Sequence, residues 1–272
     1  MNVPDLLAAV VQGIVEGVTE FLPVSSTGHL IVVGSWLGFT GDRAKTFEIF
    51  IQFGAILAIV WIYRLRFLTV LEGLSREPAS RRFVTNLLVA FLPAAILGLL
   101  THRWIKDHLF TPVVVALGFI IGGIAILIIE RWKPRERVAD AADIRPPTAL
   151  GVGLAQMLAL WPGMSRSGAT IMGGYALGLS RVAATEFSFF LAVPVITAAA
   201  LFDLLKSLDA LSTADIPIFA VGFLVAFVSA FVVVKAFLRY VAHHSFSVFA
   251  WYRIVFGLLL LWLYARSGFP AV

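Results

Sequence analysis

The sequence contains no cysteine. A disulfide framework, a thiolate metal site and a cysteine nucleophile are therefore excluded. Charge is scarce as well: Asp, Glu, Lys and Arg supply 14% of the 272 residues, while 60% are hydrophobic. A soluble domain carries about 25% charged and roughly 45–50% apolar residues. So little polar sequence cannot coat a water-soluble globule of this length, and the same figures exclude intrinsic disorder. A signal-peptide pattern is lacking too, because Asp5, Glu16 and Glu20 precede the first basic residue, Arg43. No basic run has the surface setting that nucleic acid requires. The net charge of +5 is read instead as loop Lys and Arg of a membrane protein.

What is present is apolar sequence in long pieces, with a mean hydropathy of +0.94. Residues 47–63, 83–100, 112–129, 187–205, 216–234 and 246–264 each approach the length needed to cross the hydrocarbon, about 20 residues. Two further apolar regions are interrupted. Residues 6–22 run into PVSSTGH (23–29) before residues 30–39, and residues 149–161 run into PGMSRSGAT (162–170) before residues 171–179. The pieces flanking each break are mostly too short to span. Each region is therefore expected to form a re-entrant helix hairpin with its tip at membrane depth, the alternative being one kinked span. Irregular backbone there must be buried in protein or line a wet cavity.

The two halves match in order. Pro23 pairs with Pro162 at an offset of 139, Ser25-Ser26-Thr27-Gly28 with Ser165-Arg166-Ser167-Gly168 at 140, Glu48 with Glu186 at 138, and LVAFL (88–92) with LVAFV (224–228) at 136. This predicts one membrane domain, 1–272, with internal repeats of approximately 1–135 and 136–272. One hairpin plus three spans is an odd number of crossings, so the second repeat enters from the opposite face. The expected fold class is an all-α polytopic membrane protein with six transmembrane helices, two re-entrant hairpins and an inverted-topology repeat whose hairpins meet near the midplane. Thirteen of the 21 Lys and Arg fall in loops on the face opposite the N-terminus and six on the N-terminal face. The positive-inside bias then makes both chain ends and the mouth of the first hairpin extracytoplasmic.

Ionisable groups at membrane depth are costly and mark function by default. Glu16 and Glu20 stand four apart and share a helix face. Two such carboxylates need a cation, a shared proton, or a basic partner such as Arg166; Mg²⁺ or Ca²⁺ would suit their oxygens. Ser25, Ser26, Thr27 and Gly28 precede one half-helix; Ser165, Arg166, Ser167 and Thr170 precede the other, beside Gly163 and Gly168. Hydroxyls there can cap a helix, and free amides at a helix start attract an anion. Arginine matches a phosphate bidentately. His29, next to the serines, is either a general acid or base or a hydrogen-bonded structural group. His102, His108, His243 and His244 read as loop residues, and Gln12, Gln52 and Gln156 as interhelical hydrogen-bonding groups. Glu48 and Glu186 occupy matching repeat positions. Arg253, inside the last span, needs a partner that the sequence does not name.

EGVTEFLPVSSTGHL (16–30) and LWPGMSRSGAT (160–170) resemble the two signature regions of the bacterial undecaprenyl-pyrophosphate phosphatase family, also called the bacitracin-resistance protein family. The similarity extends to KTFEIFIQ (45–52), EFSFFLAVP (186–194) and DIPIFAVGF (215–223). The resemblance implies a multi-pass phosphatase of the bacterial cytoplasmic membrane, with its active site on the extracytoplasmic side. It would cleave undecaprenyl pyrophosphate to undecaprenyl phosphate and inorganic phosphate. That recycles the carrier of peptidoglycan synthesis and removes the target of bacitracin. It also implies a divalent cation, Mg²⁺ or Ca²⁺, and a functional set of Glu16, Glu20, Ser26, His29, Ser165, Arg166 and Thr170. In this reading Glu16 and Glu20 hold the metal, and Ser26, or a water, attacks phosphorus while His29 handles the proton. Arg166 clamps the pyrophosphate with Ser25, Thr27, Ser165, Ser167 and Thr170 around it. The lipid substrate and the bilayer are the expected partners; the oligomeric state stays open, a homodimer included. The competing expectation is a secondary transporter or flippase for a phosphorylated lipid, since inverted repeats with broken helices are common in carriers.

Overall fold

The structure, a computed structural model, describes residues 3–206 and 215–267; both chain ends, placed on one face by the sequence, lie outside them. The described residues form eleven α-helices and no strand, with one isolated bridge between Val138 and Leu179. In chain order these are α1 (Val3–Thr19), α2 (Ser26–Leu37), α3 (Asp42–Ile62), α4 (Arg64–Gly73), α5 (Pro78–His108), α6 (Pro112–Trp132), α7 (Pro146–Gln156), α8 (Arg166–Ala176), α9 (Arg181–Lys206), α10 (Ile216–Val241) and α11 (Ser247–Ser267). A 3₁₀ turn at Met157–Leu160 extends α7.

Six helices, α3, α5, α6, α9, α10 and α11, are long and apolar enough to cross a bilayer, and they cover the six uninterrupted apolar stretches. Their outer surface is apolar: Leu100 is 80% exposed, Val255 63% and Ile128 62%. Water would penalise such a surface, whereas lipid matches it. The chain is an all-α polytopic membrane protein. α5 begins and ends beyond the predicted 83–100, because its helix continues through Arg81, Arg82, His102 and Arg103 where the apolar count stops. α4 was not expected. It is too short and too polar to register as a span, and it presents Leu65, Leu68 and Leu71 outward.

Both interrupted regions are two helices joined by a bent turn. α1 has 17 residues, α2 12, and α7 and α8 11 each. At 1.5 Å per residue the last three reach only about 16–18 Å, against a hydrocarbon thickness of about 30 Å. The breaks are shorter than the sequence predicts. Helix resumes at Ser26 and Arg166, not at residues 30 and 171. Ser, Thr and Gly tolerate a first helical turn because its N–H groups have no intrahelical partner to lose.

Packing partners exchange between the halves. α1 lies against α10 and α7 against α5, while α3 packs on α9 and α6 on α11. Gly17 brings α1 onto α10: a Cβ there would sit 2.5 Å from the Ala226 carbonyl oxygen. Small residues are how helices approach closely in lipid, where no hydrophobic force drives them together. Phe21, Phe187, Phe189 and Phe246 are fully buried in one apolar core.

Candidate active site

Ser25 and Ser165, the residues before α2 and α8, both have φ of 73°. Among the described residues only Lys133 joins them as a non-glycine residue in this left-handed region. Such backbone costs about 1–3 kcal/mol and clusters at functional sites. The two serines lie 140 residues apart. The Ser165 hydroxyl caps α8 by accepting from Gly168 N–H at 3.0 Å, whereas α2 has no side-chain cap.

The turns touch. Ser167 Oγ donates to the Leu22 carbonyl at 2.7 Å. Arg166 Nη2 donates to Glu20 Oε1 at 3.1 Å, and Ser26 Oγ donates to Glu20 Oε2 at 2.5 Å. One carboxylate thus links the first helical residue of α2 to the first helical residue of α8. Arg166 Nη1 also donates to the Ser188 carbonyl at 3.0 Å, and Ser188 Oγ lies 2.7 Å from Thr170 Oγ1. The buried Arg166 Nε–H has no partner. Ser188 was not singled out from the sequence; its signal is a lone hydroxyl within the apolar run EFSFF.

A single cavity receives these groups. Its polar wall is Glu20, Ser25, Ser26, Thr27, Ser165 and Arg166; its apolar wall is Phe110, Ala159, Leu160, Trp161, Pro162 and Gly163. Glu16, His29, Ser167 and Thr170 are buried and do not line it. Glu16 is fully buried, and neither carboxylate oxygen has a hydrogen-bond partner. Glu20, Glu48 and Arg166 are the charged groups near enough to act on it. A buried carboxylate left unpaired calls for a cation or a proton. Among the described residues no three His, Asp or Glu side chains are grouped to hold a metal by themselves. A hard divalent ion would therefore draw on one or two carboxylates and fill its shell from substrate and water oxygens, the habit of Mg²⁺.

The structure brings Glu20, not His29, to the Ser26 hydroxyl. His29 Nδ1 is 2.7 Å from the Ser25 carbonyl and Nε2 is 2.6 Å from the Tyr252 hydroxyl. A carbonyl only accepts, so Nδ1 carries the proton and Nε2 accepts from Tyr252. The ring is stacked on Phe256 and Tyr252, with centroids 4.5 and 5.7 Å away. The other singled-out groups lie elsewhere. Glu186 accepts from the Tyr63 hydroxyl, and Gln12 and Gln156 donate to the carbonyls of Leu30 and Ala90. His102 faces Asp203, and His108 and His244 bond to the carbonyls of Trp104 and Tyr240.

Fold and site together define a multi-pass membrane protein with a buried cleft that pairs a hydroxyl and a carboxylate with an arginine. The chain belongs to the bacitracin resistance protein BacA family, whose sequence model matches residues 9–259. It is 55% identical over 256 residues to the undecaprenyl-diphosphatase of Dechloromonas aromatica, covering 94% of this chain and 93% of that one. It is 52% identical over 269 residues to the undecaprenyl-diphosphatase of Methylobacillus flagellatus, covering 97% of this chain and all of that one. The protein of the same name from Aromatoleum aromaticum is 51% identical over 261 residues, 96% of this chain and 95% of its own.

Proposed function

We propose that the chain is an integral-membrane undecaprenyl-diphosphatase, releasing inorganic phosphate from undecaprenyl pyrophosphate and returning undecaprenyl phosphate to envelope synthesis. The observation that carries this is the Ser26–Glu20–Arg166 chain at the meeting point of the two turns. The pyrophosphate enters the cavity and takes Arg166 and the uncapped α2 amides as donors. Ser26 Oγ attacks the terminal phosphorus in line while Glu20 accepts its proton. The bond from that phosphorus to the bridging oxygen breaks, and the lipid phosphate leaves with that oxygen. Water then opens the phosphoserine, and Ser26 regains its proton from Glu20. Phosphoryl transfer depends chiefly on such placement and charge.

Glu16, with Glu20, would hold the divalent cation, which when bound neutralises charge on the pyrophosphate oxygens. His29 acts through Ser25, whose carbonyl it holds at the strained position next to the nucleophile. The matching φ at Ser25 and Ser165, and the exchange of packing partners, support an inverted repeat with two re-entrant hairpins. We place the protein in the bacterial cytoplasmic membrane, with the cavity opening to the extracytoplasmic side. A carrier of phosphorylated lipid would also use an arginine at this depth, but it has no use for the Ser26–Glu20 bond.

The test is acid quenching of purified protein during turnover of a polyprenyl pyrophosphate labelled in its terminal phosphate. Label on Ser26, with turnover lost by about 10³-fold or more in Ser26→Ala, is expected. Substantial turnover in Ser26→Ala would instead establish direct attack by water, and transport without phosphate release would establish the carrier.

A further inference from the structure

Among the described residues Arg253 is the largest fully buried side chain, at 0% exposure in the first third of α11. No carboxylate pairs with it among the described residues. Its guanidinium instead faces five backbone carbonyls. Nη1 donates to Pro23 at 3.0 Å; Nη2 donates to Gly118 and Gly163 at 3.0 Å and to Met164 at 2.8 Å; Nε donates to Phe119 at 3.3 Å. Those oxygens come from three separate places: the first turn, the second turn and α6. The space is made for it. A Cβ at Gly122 would sit 2.0 Å from Nη2, and at Gly118 it would sit 2.4 Å from the Pro162 carbonyl oxygen.

Resting on the phosphatase reading above, we infer that Arg253 is the positioning residue that sets the spacing between the Ser26 turn and the Arg166 turn. It does not line the cavity, so it does not touch substrate. Its effect reaches the site through the peptide planes. C=O and N–H point oppositely across a trans peptide. Holding the Met164 carbonyl from behind therefore turns the Ser165 N–H away from Arg253, on the strained residue that lines the cavity. Holding Pro23 fixes the approach to Ser25 and Ser26 from the other half. A guanidinium carries five N–H donors in a fixed fork, enough for carbonyls on all three segments at once, whereas an ammonium carries only three, clustered at one point. An apolar replacement would leave those carbonyls unpaired away from water.

The test compares Arg253→Lys, Gly122→Ala and their double variant in detergent-purified protein, measuring phosphate release from a polyprenyl pyrophosphate and thermal unfolding. Gly122→Ala keeps the arginine and presses a methyl group against its guanidinium and the Met164 sulfur, so it remains informative where Arg253→Lys does not fold. Each folded single variant is expected to lose about 10²-fold in kcat, the effect of misplacing reacting groups by about 1 Å, with KM within about threefold. The double variant should lose little more than the worse single, because both changes act on one contact set. Three results would overturn the inference: kcat within about threefold of the parent in a folded variant, a rise in KM alone, or a loss of kcat that only tracks the loss of folded protein. No phosphate release by the parent protein would instead overturn the phosphatase reading.

Discussion

Glu20 carries two bonds that pull on it from opposite halves of the chain, Ser26 from one and Arg166 from the other. Glu16, one helical turn away, carries none. The two carboxylates therefore have different work, and substitution separates them. Glu20→Gln removes the proton acceptor as well as one cation-holding carboxylate, and should lower kcat by about 10²–10⁴-fold even at saturating cation. Glu16→Gln removes the unpaired charge. It should leave the protein folded, and it should weaken the Mg²⁺ or Ca²⁺ dependence of phosphate release, measured by titrating chelator-treated protein. An unchanged titration would show that Glu16 holds no cation. The sequence named both glutamates, both serines and the arginine, because polar groups in apolar sequence cannot be camouflaged. It could not assign their partners. The Glu20–Ser26 contact spans six residues across a bent turn, outside any helical period. His29 was read as the proton handler from its neighbours along the chain, yet its ring faces Ser25 and Tyr252.

At the scale of elements, α2 and α8 are the same device with different heads. Each follows a left-handed serine, but the first helical residue is Ser26 in one and Arg166 in the other. At the same 140-residue offset, Glu16 has Gln156 and Glu20 has Leu160 as its counterpart. In the proposed mechanism one half supplies the nucleophile and its acceptor, and the other supplies the positive charge. Their caps differ too. Ser165→Ala should destabilise by about 1 kcal/mol through the lost α8 cap, whereas Ser25→Ala loses no such bond. The seat of α1 is stiffer. In Gly17→Ala the new Cβ meets backbone on α10, which cannot rotate aside. The expected result is a fall in unfolding temperature of several degrees in detergent, corresponding to roughly 1–3 kcal/mol of overpacking. The six spans were legible because crossing lipid demands one long apolar run and little else. α4 and the first turns of α2 and α8 were not. The former is short and mixed, and the latter are written in residues that also write loops.

For the molecule as a whole, the absence of cysteine makes orientation directly measurable. Thr40 and Ser75 are exposed at opposite ends of α3, beyond its start and beyond the following α4. In intact cells stripped of outer layers, a membrane-impermeant maleimide should label Thr40→Cys and spare Ser75→Cys until the membrane is opened. The reverse pattern would turn the cavity toward the cytoplasm. The drifting offset between the two chain halves was visible in the sequence. The contacts that join those halves were not, since backbone carbonyls leave no trace in a pattern of side chains.

That junction bears on how the protein is made. Every residue on the cavity wall has been synthesised by position 166, but the guanidinium that bridges the two turns arrives only with α11. On the proposed reading, a nascent chain carries a full set of site groups not yet held in register, and the final helix would bring them into it.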